Sequence, residues 1–151
     1  MFISIASLSI LITGCVKFDS GEFKNSEDIV RFVEGGGDPN KQFFYKGNPA
    51  SEISLLHFAA LENDLVLVKY LVKAGASPDS LGYDGFTPEM TIFAICENLE
   101  ERKPVISFLH SITDKAILDI EGRDIYQFVD DYWGSEWVNY LQSIKSKTPT
   151  S

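Results

Sequence analysis

Residues 54–79 read SLLHFAALENDLVLVKYLVKAGASPD. From Leu65 to Lys73 the apolar residues recur at i, i+3 and i+4, the spacing of one buried helix face. Gly75 then supplies a residue able to take the left-handed conformation that closes a helix. Pro78 cannot continue one. Residues 27–40, EDIVRFVEGGGDPN, repeat the pattern, with Gly36 and Pro39 in the same places. A repeated unit of helix, glycine stop and Pro-Asn or Pro-Asp turn is the first organising feature of the chain.

The stretch Ser54-Leu55-Leu56-His57-Phe58-Ala59-Ala60 resembles the T-P-L-H-x-A signature of the ankyrin repeat. Thr87-Pro88-Glu89-Met90 opens the next unit 33 residues after Ser54, the period of that family. Tyr83-Asp84-Gly85-Phe86 resembles its hairpin finger, and Gly122 repeats the turn of Gly85 after 37 residues. The extra residues are expected in 98–103. The resemblance implies an all-α ankyrin-repeat solenoid of about four helix pairs with short hairpin loops over residues 26–145, its outer pairs acting as caps. The third and fourth units depart from the pattern: Glu89 replaces Leu, Met90 replaces His, and Gln127 stands where His would be.

Ahead of this domain, residues 1–14 carry no charged side chain and suit the apolar core of a secretory signal. Ile12-Thr13-Gly14-Cys15 resembles a bacterial lipobox. That resemblance implies cleavage before Cys15, lipidation of Cys15 and a tether over residues 15–25. Val16 after the cysteine favours the periplasmic face of the outer membrane. Residues 146–151 have the composition of a flexible tail.

The chain has 151 residues and a net charge of −9. This acidity argues against nucleic acid, where affinity comes from Lys and Arg on phosphates, and favours a basic protein as partner. The membrane would be reached only through the lipid anchor. No elbow, phosphate loop or metal-ligand spacing is present, so no catalytic, cofactor or metal site is expected. His57 holds the signature position, where the resemblance implies that it braces the turn. His110 lies late in a helix, where the dipole also favours a cation. Cys96 reads as a buried inert thiol. Trp137, Tyr140, Leu141 and Ile144 recur at helical spacing and read as core, and Ser135 reads as a helix cap. Tyr132 and Trp133 either seal the stack or face a partner. Phe43-Phe44-Tyr45 leaves two readings open, a finger aimed at a partner or a plug of the N-terminal cap.

Ankyrin stacks bind proteins through one face and the hairpin tips. The matching positions here are Tyr45, Lys46, Glu52, Leu61, Glu62, Tyr83, Asp84 and Phe86, a mixture of aromatic and acidic groups suited to a partner with a basic rim. A small acidic ankyrin lipoprotein resembles the immunity proteins that protect bacteria from lipase effectors delivered to the periplasm by type VI secretion. The expectation is therefore a stoichiometric inhibitor of a cognate toxin and not an enzyme. The alternatives are a periplasmic scaffold assisting an envelope enzyme, an enzyme on a repeat scaffold, and a secreted effector.

Overall fold

The computed structural model describes residues 23–44, 52–82 and 84–145. The signal segment, Cys15, Tyr45, Lys46, Tyr83 and the tail fall outside these residues. The elements are α1 (Ser26–Glu34), β1 (Gln42–Phe44), β2 (Glu52–Ser54), α2 (Leu55–Leu61), α3 (Leu65–Lys73), α4 (Pro88–Ile95), α5 (Leu99–Ile112), α6 (Ile125–Trp133) and α7 (Ser135–Ser143). Three helix pairs therefore follow a single helix among the described residues, where the sequence suggested four pairs. The chain is mostly helical, consistent with an all-α ankyrin-like fold, and β1 and β2 form a short antiparallel ribbon with Phe43 opposite Ile53. Alternation explains the ribbon: Phe43 turns inward to a buried site and Phe44 turns out.

The helices start where the sequence supplies an oxygen. Asn25, Ser54, Asp64, Thr87 and Asp124 each accept a backbone N–H of the first turn, a bond of about 1 kcal/mol per cap. Ser135 is not a cap. Gly134 caps both α6 and α7 with a φ of 82°, and Ser135 is the first residue of α7. Gly36 and Gly75 hold φ of 93° and 107° after their helices, as the repeated glycine stop requires.

Helices α2, α4 and α6 pack side by side as a front row. Their partners α3, α5 and α7 lie behind them, α3 against α5. Phe58, Phe93 and Phe128 are fully buried in the front row. At the N-terminal end Phe23, Phe32, Phe43 and Phe58 form a chain of edge-on ring contacts with centroids 5.3, 5.6 and 6.4 Å apart. At the other end Trp137 packs edge-on to Phe93, and the Trp133 indole N–H donates to the Phe93 carbonyl at 2.8 Å. Leu141 is buried, while Trp137, Tyr140 and Ile144 are half-buried against the core. Phe43 and Trp133 thus plug the stack, whereas Phe44 and Tyr132 are exposed.

The extra residues of the third unit are helical rather than a loop. They form the first turn of α5, with Pro104 inside the helix. From this turn the Arg102 Nη1 reaches back to donate to the carbonyls of Ala60 (3.2 Å) and Leu61 (2.9 Å), closing the end of α2. Burial lowers the guanidinium pKa, and the carboxylates of Glu62 and Glu101 oppose that shift. Arg102→Met keeps the stem and removes both charge-assisted bonds. It should lower stability by about 2 kcal/mol, read from the urea midpoint at unchanged m-value.

The connections between units are stitched to one another. Asn40 Oδ1 accepts from the Ser77 N–H at 2.7 Å, and Asp79 Oδ1 accepts from the Asp114 N–H at 2.8 Å. These are the same bond repeated one unit on, made by the residue after Pro39 and after Pro78. Gln42 Nε2 adds a bond to the Leu81 carbonyl. Gly85 is required between the next two connections. It has φ of 71°, and a Cβ there would lie 2.9 Å from Ile120 Cγ2 and 3.2 Å from the Ile120 backbone nitrogen. Gly85→Ala should cost about 2 kcal/mol, seen as a lowered thermal midpoint.

Candidate interaction surface

His57 is part of the scaffold of this surface. Its ring is fully buried. Nδ1 faces the Ser54 N–H at 3.2 Å and the Ser54 Oγ at 2.7 Å, so Nδ1 accepts and the proton sits on Nε2. Nε2 then donates to the Phe86 carbonyl at 2.9 Å, which fastens α2 to the next connection. Burial outweighs that backbone bond and lowers the pKa to about 4. The expected bracing role is what the geometry performs. In the fourth unit Gln127 takes the same place, its Oε1 accepting from the Asp124 N–H at 3.1 Å. Met90 has no such atom, and the third unit lacks this reciprocal cap.

The surface follows from the repeat. Eight residues after the caps Ser54, Thr87 and Asp124 stand Glu62, Ile95 and Tyr132, at the ends of the three front-row helices. All three are exposed, Tyr132 to 56%. Ala94 and Asp131, one residue earlier, are exposed as well. Leu61 occupies the corresponding position in α2 and was expected there, but it is only 1% exposed. Arg102 and the first turn of α5 fold over that helix end, so Leu61 belongs to the core.

A second row lies on the connections. Phe44, Leu81, Leu118 and Ile120 are exposed apolar residues on three successive connections, Ile120 to 75%. Leu81 and Leu118 are equivalent, 37 residues apart like Gly85 and Gly122. Glu52 sits directly across the ribbon from Phe44. Asp84 is half-buried, and burial raises its carboxyl pKa. Phe86 is half-buried with its ring edge-on to Phe128 at 5.1 Å, so it joins two units and offers a partner little area.

The connection under Ile120 is cross-linked by side-chain bonds. Asp119, whose side chain is fully buried, pairs with Arg123 at 2.7 Å and accepts the N–H groups of Glu121 and Arg123. Burial would raise the Asp119 pKa, but those bonds and the Arg123 charge outweigh it and hold it low. The Arg123 guanidinium lies over the Phe128 and Tyr132 rings at 5.0 and 5.4 Å. It thereby sets the position of the exposed Tyr132.

Of the residues expected at a partner surface, Glu62 is exposed, Glu52, Asp84 and Phe86 are half-buried, and Leu61 is buried. Ile95, Leu81, Leu118 and Ile120 went unrecognised. Their signal was the fixed offset from the caps and from the Gly85-type turn. Cys96 is buried. Among the described residues no group of three His, Cys, Asp or Glu could hold a metal ion, and no helix is long and apolar enough to cross a membrane.

No curated protein matches the chain. The family model of the ankyrin repeat matches residues 52–83, so β2, α2, α3 and the turn that follows them form an ankyrin repeat.

Proposed function

We propose that this chain is an ankyrin-repeat lipoprotein of the bacterial envelope that binds and neutralises a cognate antibacterial effector, a phospholipase being the expected class. An ankyrin repeat points to a protein-binding role. The observation that carries the reading is the recurrence of exposed side chains at one position per unit. Ile95 and Tyr132 at the helix ends, and Leu81 and Leu118 on the connections, repeat on a stack held rigid by buried caps. Aromatic and aliphatic anchors set among carboxylates suit a partner with an apolar centre and a basic rim. The charge of −9 favours encounter with such a partner. The lipobox-like Ile12 to Cys15 would place the inhibitor where a phospholipase meets its substrate.

The anchor makes a demand on Cys96. A Cys15 sulfur bound to lipid has no valence left for a disulfide, and the chain holds two cysteines. The anchored protein would therefore carry Cys96 as a thiol. Intact mass of the protein from its own cell envelope distinguishes a lipidated Cys15 from a bridged one. A bridged, unlipidated chain overturns the anchor and leaves the binding role to be judged separately. For that role the test is capture from the same cells. One lytic enzyme that loses activity in the complex supports neutralisation. An envelope enzyme that keeps or gains activity supports the scaffold reading.

A further inference from the structure

The two exposed rows meet in the last unit. Leu118, Ile120 and Tyr132 each keep half or more of their surface in water. Leu118 and Ile120 lie on the connection before α6, and Tyr132 lies at the end of that helix. Arg123 joins the two places. Its Nε and Nη2 donate to the buried Asp119 carboxylate at 2.9 and 2.7 Å. Its Nη1 lies 3.3 Å from Glu121 Oε2 and 3.4 Å from Asp131 Oδ2. Glu121 follows Ile120, and Asp131 precedes Tyr132. One guanidinium therefore gathers apolar residues of both rows and two carboxylates into a single patch. Exposed apolar side chains gathered in this way mark a docking face, which scattered ones do not.

The formal charge of the chain collects at the same end. Residues 23–44 hold four carboxylates against three cations, and 52–82 hold four against two. Residues 84–115 hold six against three, and 116–144 hold six against Arg123 alone. The cations of the third unit are engaged where they stand. Arg102 is held on the Ala60 and Leu61 carbonyls, Lys103 on Glu100, and Lys115 on the carbonyls of His110 and Thr113. In the last unit Asp119 by itself balances Arg123, which leaves Glu121 and Asp131 as surplus charges. Both reach the same nitrogen, so they lie within twice a salt-bridge distance of each other, and both side chains are more than half exposed. Two carboxylates so placed repel one another and favour a further cation between them. A second copy of this chain would bring a like-charged surface, which opposes self-association here.

We propose that the last unit seats a basic segment of the partner protein, with an arginine of that segment between Glu121 and Asp131 against the exposed part of Tyr132. Leu118 and Ile120 take the apolar side chains beside that arginine. This seat rests on the protein-binding reading and specifies which end of the stack is used and which side chain is recognised. Arginine suits the place better than lysine, because its planar fork can meet two carboxylates while its face stacks on an aromatic ring. The gradient of charge along the stack turns an approaching basic surface toward this end.

The probe is a synthetic peptide of alternating arginine and leucine. Its control carries citrulline, neutral and of nearly the same shape, in place of each arginine. Nuclear magnetic resonance follows the amides of the full chain as each peptide is added at low salt. The arginine peptide should shift amides within residues 118–123 and 130–133 and bind about tenfold more tightly than the control. The double variant Glu121→Gln, Asp131→Asn should lose that preference. Asp130→Asn, Glu136→Gln removes the same charge from exposed positions of the same unit and should keep it. Equal loss in both double variants, equal binding of the two peptides, or shifts confined to other residues overturns the proposal. Shifts at these amides on concentrating the chain alone assign the face to a second copy and overturn it as well. If a variant fails to fold, the wild-type shift map and the citrulline comparison decide. A captured partner whose affinity is unchanged by Glu121→Gln, Asp131→Asn overturns the arginine seat and leaves the binding role standing.

Discussion

Lowering the pH from 7 to 4 should remove about 3 kcal/mol of stability through His57 alone. The ring is buried and neutral, with a pKa of about 4 against an ordinary value of 6.5. Below 6.5 the unfolded chain takes up a proton that the folded chain refuses. Stability is therefore complete above the unfolded value and falls as the pH drops toward 4, and the gap of 2.5 units corresponds to the figure given. His57→Gln should flatten this slope, because an amide does not titrate in the range. Gln127 performs the capping half of the same task in the fourth unit. At pH 7 the variant should still be less stable by about 2 kcal/mol, since it gives up the ring bond to the Phe86 carbonyl. Urea titrations of both proteins at pH 7 and pH 4 check the two statements together.

Phe128→Ala should destabilise by about 4 kcal/mol, the range for a fully buried aromatic cut to a methyl. Phe128 is fully buried between Phe86 on the preceding connection and Tyr132 on its own helix, with centroids 5.1 and 4.8 Å away. The loss falls on an interface between units, so it should uncouple the last helix pair from the rest of the stack. Both tryptophans, Trp133 and Trp137, lie in the last helix pair and report on that unit. Their fluorescence and the far-ultraviolet circular dichroism of the whole chain should give one coincident transition in the wild type. In Phe128→Ala the fluorescence transition should come first, at lower urea.

The second unit was legible because each of its residues does locally what its type favours. Leu65 to Lys73 alternates at helical spacing, Gly75 takes a left-handed φ, and His57 meets backbone on both sides. What could not be read depended on distant partners. Glu89 reads only as a departure from the leucine of the pattern until His110, 21 positions later, is placed against it. Leu61 reads as exposed until Arg102 arrives from an α5 longer than the period implies. Asn40 and Asp79 read as turn residues because a side chain that closes a turn and one that stitches two units have the same composition. The ribbon of β1 and β2 was hidden by its length, three residues in each strand. Ile95 and Tyr132 were missed as a pair because the third and fourth units had lost the histidine that fixes the register in the second.

The repeated row at the helix ends is the proposed binding surface. Its most direct test is the affinity of the captured partner for the Ile95→Asp, Tyr132→Ala double variant, measured beside Asn139→Ala, Gln142→Ala on the exposed side of α7. Binding by the first should be about a thousandfold weaker, since central anchors of this kind are worth about 2 kcal/mol each. Binding by the second should be unchanged, with both variants folded. Wild-type affinity in the Ile95, Tyr132 variant would contradict the proposed surface.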